Sequence, residues 1–346
     1  MTPYRFVQVT TPLSEDQQAE IIALWQRGGA IIEDIESRLS QVTFLAYSEQ
    51  DELAGVASFQ VQQGLYSDLP VNALRVFVAA HHRQSLLAFE LLAHLEEVLI
   101  DLSRTKGLAQ AVGLSAIIET DIVNQRGAIP CSRTFQFAVN KFPVTFLFTG
   151  FSREGSPEYT HYFELGDLER NTASKDQSAT RTSEMNLVIL GPESAEALRK
   201  EVGEILIEQR GIPGPQLDQY VAQKLVIALF EEGVMQAVCL LVPQFIREMN
   251  ATLFGLMLFP AEAKNSPPID QSKLHQVIFE HMNNAFQGSP EEAIGLFILF
   301  ATKTNQPIFD PITRFHYHGT DRKGQELRVR FFDEASVQVP ERSSIT

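Results

Sequence analysis

Leu74–Ile100, LRVFVAAHHRQSLLAFELLAHLEEVLI, is the stretch on which the fold turns. Leu74, Val76 and Val78 alternate with Arg75, Phe77 and Ala79, the period of a strand. The polar run His81-His82-Arg83-Gln84-Ser85 follows. Leu87, Leu91, Leu95 and Val98 then recur at helical spacing, with Leu92 and Leu99 widening the stripe. A strand, a polar turn and a long amphipathic helix can present unpaired first-turn N–H groups and the positive end of a macrodipole to an anion. Arg83 adds a full charge at that mouth. The same pattern also describes an ordinary strand-to-helix connection with a solvated loop.

Working outward, Tyr4–Thr10 alternates like a strand. Ser14 stands three residues before Gln17, a capping box for a helix carrying Ile21, Leu24 and Trp25 and broken by Gly28-Gly29. Ile31, Ile35 and Leu39 mark a second helix. Two strands over 42–47 and 53–62 flank the acidic turn Ser48–Glu52. Beyond the central stretch, Ala111–Glu119 reads as a buried strand. Pro130 argues against one regular element over 120–141. Val144–Phe148 and Tyr159–Leu165 close the half as a strand pair.

Residues 166–184, GDLERNTASKDQSATRTSE, cannot bury a face and read as a linker. The remainder repeats the order of elements: a strand from Asn186, a helix over 192–209 with Pro192 in its first turn, and a shorter helix over 217–223. Strands at 224–230, 234–242 and 252–259, a helix over 272–286, a buried strand over 294–301 and a last pair at 314–318 and 326–332 follow. GFSREGSPEYTHYFE and GTDRKGQELRVRFF align by eye, the mark of an internal repeat. The expected organisation is therefore residues 1–165 as one domain, 166–184 as linker, 185–335 as a second domain and 336–346 as a polar tail. The fold class is mixed α/β, with a mostly antiparallel central sheet and flanking helices in each half.

The 346 residues are 44% hydrophobic and 21% charged, the balance of a soluble globular chain. A formal charge of −15 opposes nucleic acid and anionic membrane as partners and is compatible with a cationic substrate. Cys131 and Cys239, one in each half, build no disulfide framework, and the N-terminus lacks a signal-peptide pattern, so a reducing cytoplasm is expected.

The first half resembles the GNAT superfamily, the acyl-CoA N-acyltransferases. The resemblance rests on Phe44–Tyr47 through Leu53–Ser58 as the family's hairpin, on Phe77–Arg83 as the strand entering its pyrophosphate loop, and on Phe146–Phe151 as its aromatic-x-x-x-Gly-Phe segment. It implies two helices after the first strand, an antiparallel run, a helix, a strand, a further helix and a closing pair. It further implies an acetyl-CoA or other acyl-CoA held by Val78, Arg83, Gln84, Ser85 and Ala88, and a small-molecule amine as acceptor. Leu86 stands where the family has its first loop glycine, and Phe146 where it often has a tyrosine acid. In the second half the loop over 260–268 lacks the arginine and the glycines, so that half is expected to be non-catalytic. These departures support an alternative: a catalytically inactive binding or scaffold protein of the same fold, compatible with a homo-oligomer.

Glu119, at the end of a buried strand, is the expected general base, since a partly buried glutamate has a raised pKa suited to that task; the bland reading is a solvated strand end. His81 and His82 either contact phosphate or are solvated. Tyr159 and His161 share a strand face that either flanks an acceptor pocket or packs. Cys131 is weighed as a nucleophile beside Arg133, Cys239 as core. His316 and His318 share a strand face and His275 lies on a helix, with no carboxylate or cysteine completing a metal spacing.

Overall fold

In the computed structural model of the chain the described residues are 4–10, 12–30, 34–64, 69–83, 85–106, 111–118, 127–135, 144–153, 155–164, 185–223, 225–261, 270–287, 293–300, 308–310, 313–320 and 323–340. The expected linker over 166–184 lies outside them, as do Gln84, Glu119 and most of the loop over 260–268. The chain divides into two compact units, Met1–Thr120 with Arg133–Lys175, and Asp121–Ser132 with Asp176–Thr346.

The first unit runs β1 (Tyr4–Gln8), α1 (Glu15–Arg27), α2 (Ile35–Ser40), β2 (Val42–Ser48), β3 (Leu53–Gln63), β4 (Pro70–Val78), a 3-10 turn at Ala80–His82, α3 (Leu87–Lys106) and β5 (Gly113–Ile117). After β6 (Ala128–Pro130), which belongs to the second unit, come β7 (Ser132–Phe135), β8 (Val144–Phe151) and β9 (Pro157–Tyr162). The sheet order is β1-β2-β3-β4-β5-β9-β8-β7.

The second unit runs β10 (Met185–Leu190), α4 (Glu196–Arg210), α5 (Gly214–Ala222), β11 (Val226–Glu231), β12 (Val234–Ile246), β13 (Ala251–Pro260), α6 (Gln271–Ala285), β14 (Gly295–Phe300), β15 (His316–Thr320), β16 (Glu326–Phe331) and β17 (Ser336–Gln338). Its sheet order is β10-β11-β12-β13-β14-β16-β15, matching the first seven positions of the eight-stranded sheet of the first unit, and β17 pairs with β6 as a separate ribbon. Ser336–Gln338, expected within a polar tail, is thus a strand.

Both units are mixed α/β, and among the described strand pairs all are antiparallel except one in each sheet. Those two exceptions are short. β4 meets β5 in parallel only at Asn72–Leu74 against Leu114–Ala116, and β13 meets β14 only at Phe254–Gly255 against Leu296–Phe297. Toward their C-terminal ends the described residues of these strands are not paired further, so the ends of β4 and β13 pair on one side alone among the described residues.

The local reasons are in the sequence. The capping box at Ser14 and Gln17 satisfies the first amides of α1, which buries Ile21, Leu24 and Trp25 against Leu45 and Val56. Gly55, next to Val56 and so on the opposite face, lies under Leu87 and Leu91 of α3. Helices on both faces explain why every residue of β2 is buried rather than every second one. Gly113 and Gly295 open β5 and β14; a Cβ there would stand 2.3 Å from the carbonyl oxygen of His161 and 2.4 Å from that of Arg330. Gly155 and Gly324 turn the two closing hairpins at φ 79° and 77°, a conformation glycine adopts without strain.

Local expectations fare differently. α4 begins at Glu196 with Ala195 as N-cap, so Pro192 lies in the preceding turn rather than in the helix. Between β5 and β8 the described residues form two short strands, β6 and β7; the stretches 119–126 and 136–143, where the helix implied by the family resemblance would fall, lie outside the described residues. Phe146-Leu-Phe-Thr-Gly-Phe151 is interior to β8, and Phe146 is packed away at 5% exposure, its ring 5.6 Å from that of His161.

Candidate functional site

The site begins where β4 leaves its parallel partner. Val78 ends the strand, buried and paired with Gly55 of β3. The 3-10 turn reverses the chain into α3. Arg83 caps that turn and lies back on the strand: its Nε donates to the Val78 carbonyl at 3.1 Å and its guanidinium carbon stands 5.7 Å from the centre of the Phe77 ring. Its terminal nitrogens meet no partner among the described residues.

Ser85 is fixed by three hydrogen bonds. Its Oγ donates to the His82 carbonyl at 2.6 Å and accepts from the Leu87 N–H and the Tyr4 hydroxyl, both at 3.2 Å. Tyr4 Oη also lies 3.0 Å from His82 Nδ1. Leu86 turns outward with 69% exposure and does not fill the opening, and Ala88 is half-buried in the first turn. Val78, Arg83, Ser85 and Ala88 therefore gather at one end of the sheet. Gln84 and Glu119 lie outside the described residues.

Electrostatics at this end are mixed. Desolvation, with His81 beside it at 4.1 Å between ring centres, pushes His82 below the usual histidine range, so it is neutral at pH 7. One turn into α3, burial raises the carboxyl of Glu90, whose Oε2 has no hydrogen-bond partner among the described residues. His94 is also lowered by burial, its ring 4.3 Å from that of Phe6. Arg83 is the full positive charge at the mouth.

Near the end of β5 the described carboxylate is Glu158 of β9, opposite Ile117 and 2% exposed. It accepts from the Ser115 hydroxyl, and from Thr149 Oγ1 at 3.2 Å, which ties β5, β9 and β8 together.

Tyr159 and His161 do share a face, but at 1% and 0% exposure they pack rather than flank an acceptor pocket. His161 Nδ1 donates to the Thr145 carbonyl at 2.8 Å, and its Nε2 lies 3.5 Å from Glu96 Oε1 of α3. Cys131 is fully buried and burial raises its thiol, the opposite of what a nucleophile needs; Cys239 is core, raised in the same way. His316 and His318 are buried on β15, and His275 sits on α6. Among the described residues no group of three His, Cys, Asp or Glu is arranged to hold a metal.

No family model and no curated protein matches the chain. Solved structures are similar to it at low identity. A GCN5-related N-acetyltransferase from Sphaerobacter thermophilus is 13% identical over 75% of this chain and 76% of its own, with a TM-score of 0.27. A GCN5-related N-acetyltransferase from Kribbella flavida is 12% identical over 75% of this chain and 57% of its own, with a TM-score of 0.26. A structure of AtaTR bound with AcCoA is 13% identical over 49% of this chain and 98% of its own, at 0.32. Scores this low carry no argument. The architecture rests on strand order, register and the parted parallel pair.

Tyr4, Glu90 and Glu158 are the site-end residues that sequence reasoning did not single out. Glu90 was readable: it falls three residues after Leu87, inside the apolar stripe, where a charge is buried or turns outward. Nothing local marks Tyr4, which reaches the turn only through the β1–β2 pairing. Among the described residues no helix is long and apolar enough to cross a membrane.

Proposed function

We propose that the first unit is an acyl-CoA-dependent N-acyltransferase acting on a small amine, and that the second unit is non-catalytic. One observation carries this reading. β4 and β5 part after Leu74 and Ala116, and the gap opens beside the first turn of α3 with Leu86 turned away from it. The residues present fit a diphosphate-bearing thioester there. Among the described residues Arg83 has unpartnered terminal nitrogens at the mouth, the helix start offers a positive dipole, and the unpaired edge of Arg75–Val78 offers backbone groups to an extended amide-containing arm. An acyl-CoA supplies an activated acyl thioester, whose carbonyl an amine attacks as the thiolate leaves.

The chain's own tasks are then positional. Arg83 neutralises negative charge at the mouth, the β4 edge fixes the arm, and Glu119 takes the proton the amine must lose. A calorimetric titration of the full chain with acetyl-CoA and longer acyl-CoAs tests this. Binding is expected, with Arg83→Ala weaker by about tenfold, the size of one charged contact. No heat with any acyl-CoA overturns it.

A second reading, an inactive binding or scaffold protein, is favoured by Ser85, whose hydroxyl already holds the Leu87 amide that a phosphate would use. Binding of acyl-CoA without transfer to any of a panel of amines would select it.

A further inference from the structure

The turn that leads into α3 buries a ring nitrogen. His82 Nε2 is closed off from water and has no hydrogen-bond partner among the described residues. We infer that an anion seated at this turn binds together with a proton: His82 takes the proton up on Nε2 and becomes an imidazolium that faces the anion beside Arg83. The inference rests on the acyl-CoA reading of the first unit, whose diphosphate is the anion in question.

The hydrogen bonds around His82 fix which nitrogen is bare. Ser85 Oγ has one hydrogen, and it goes to the His82 carbonyl at 2.6 Å, an oxygen that can only accept. Ser85 Oγ therefore accepts from the Tyr4 hydroxyl at 3.2 Å, as it does from the Leu87 N–H. Tyr4 then has no hydrogen left for His82 Nδ1, 3.0 Å from its oxygen, so Nδ1–H is the donor in that contact. A neutral imidazole carries one N–H, which leaves Nε2 with an unshared lone pair. The two nitrogens lie on opposite flanks of the ring. With Nδ1 held by Tyr4 of β1, Nε2 is turned away from that strand. A buried polar atom with no protein partner is costly to maintain and points to a ligand or solvent partner.

Charge decides what that lone pair can take. Desolvation first, then His81, hold His82 below the usual range, and Glu52 of the β2–β3 turn acts the other way and is outweighed. Tyr4 meets the ring as a neutral hydroxyl, and Arg83, next in the chain, lies back on Val78 and Phe77. The empty turn thus keeps His82 neutral at pH 7, and a bound anion supplies the negative charge that Glu52 does not. A diphosphate diester has no proton to give at that pH, so the proton comes from the solvent. The imidazolium then donates twice, from Nδ1 to Tyr4 and from Nε2 toward the anion, and the buried nitrogen is satisfied. The complex binds more protons than the free chain, so affinity rises as pH falls from about 8 toward 6.

Calorimetric titration of the full chain with acetyl-CoA at pH 7, in two buffers of different ionisation enthalpy, counts the protons taken up. Between about half and one proton per ligand is expected, with affinity at pH 6 roughly tenfold that at pH 8. His82→Gln should still bind acetyl-CoA, with most of the uptake lost and a flatter pH profile, and His81→Gln should keep both. In the wild-type chain at pH 7 the His82 ring resonances should move to their imidazolium positions in NMR spectra as acetyl-CoA is added, a reading that needs no variant and decides alone should His82→Gln not fold. Binding without proton uptake, uptake that persists undiminished in His82→Gln, or His82 resonances that stay at their neutral positions overturns the inference and leaves the acyl-CoA reading standing. No binding at all removes both.

Discussion

The starts of α3 and α6 stand in the same place in two sheets of one strand order, each beside a parallel pair that parts after two or three residues. Their chemistry is opposite. At α3 a neutral hydroxyl, Ser85, holds the first amide and Arg83 stands beside it with terminal nitrogens to offer. At α6 the chain supplies its own anion, because the Asp270 carboxylate takes two first-turn amides. A helix start carries roughly half a positive charge, so the residue at its cap decides whether an incoming anion meets attraction or a carboxylate in its place. One frame thus yields one helix start capped by a hydroxyl beside a guanidinium and one capped by a carboxylate.

The largest expected difference between the units is their response to acid. His275, His316 and His318 of the second unit are held neutral, at pKa values of about 4, 3 and 4, chiefly by burial. The unfolded chain binds those protons below about pH 6.5 and the folded unit does not, so stability falls as pH drops from about 6.5 toward 4. At pH 5 the loss is on the order of 2 kcal/mol for each imidazole. In the first unit His82 and His94 are lowered by burial in the same direction but less far, and His161 has a carboxylate, Glu96, at 3.5 Å. Urea unfolding can separate the units, because the single tryptophan, Trp25, reports on the first while circular dichroism reports on both. From pH 7 to pH 5 the dichroism midpoint should fall further than the fluorescence midpoint. Midpoints that move together would remove the contrast.

A smaller effect tests the likeness instead. Gly113 and Gly295 occupy one position in the two sheets, and in both a Cβ would meet a backbone oxygen of the neighbouring strand, at 2.3 and 2.4 Å. Backbone cannot swing aside as a side chain can, so alanine at either position should cost about 2–3 kcal/mol. Gly113→Ala should shift the Trp25 transition, and Gly295→Ala should leave it in place while shifting the dichroism. If one substitution is tolerated, the positions are not equivalent in packing.

Much of this frame was legible in the sequence because it depends on local rules. The capping box at Ser14 and Gln17, the glycines of the closing hairpins and the stripe Leu87, Leu91, Leu95 each specify structure within a few residues. What was not legible is set by contacts far apart in the chain. Ser336–Gln338 looks like a tail because its partner, β6, lies more than 200 residues earlier. Phe146 was matched to a tyrosine by its distance from a glycine, but the strand pairing that buries it beside His161 has no mark in the local sequence. Tyr159 and His161 alternate correctly onto one face. Whether that face is lined or covered depends on α3, and periodicity does not reveal it. In the second half, Pro192 was placed inside a helix because proline favours first turns; Ala195, without a capping side chain, begins the helix three residues later.

The smallest effect bears on the cap contrast itself. Ser85→Ala and Asp270→Ala each remove a side-chain acceptor from a helix start and should each cost about 1 kcal/mol in thermal unfolding. Asp270→Ser separates charge from capping, since a hydroxyl can still accept from the second or third amide while the carboxylate is gone. That variant should keep most of its stability. Inorganic phosphate should then raise the melting temperature of the second unit, an effect absent in the wild-type chain, because the helix start no longer holds an anion of its own. If phosphate stabilises wild type and Asp270→Ser alike, Asp270 does not set the charge preference of that mouth. If it stabilises neither, the amides of α6 are unreachable for reasons other than their cap, and the difference between the two mouths lies in shape rather than charge.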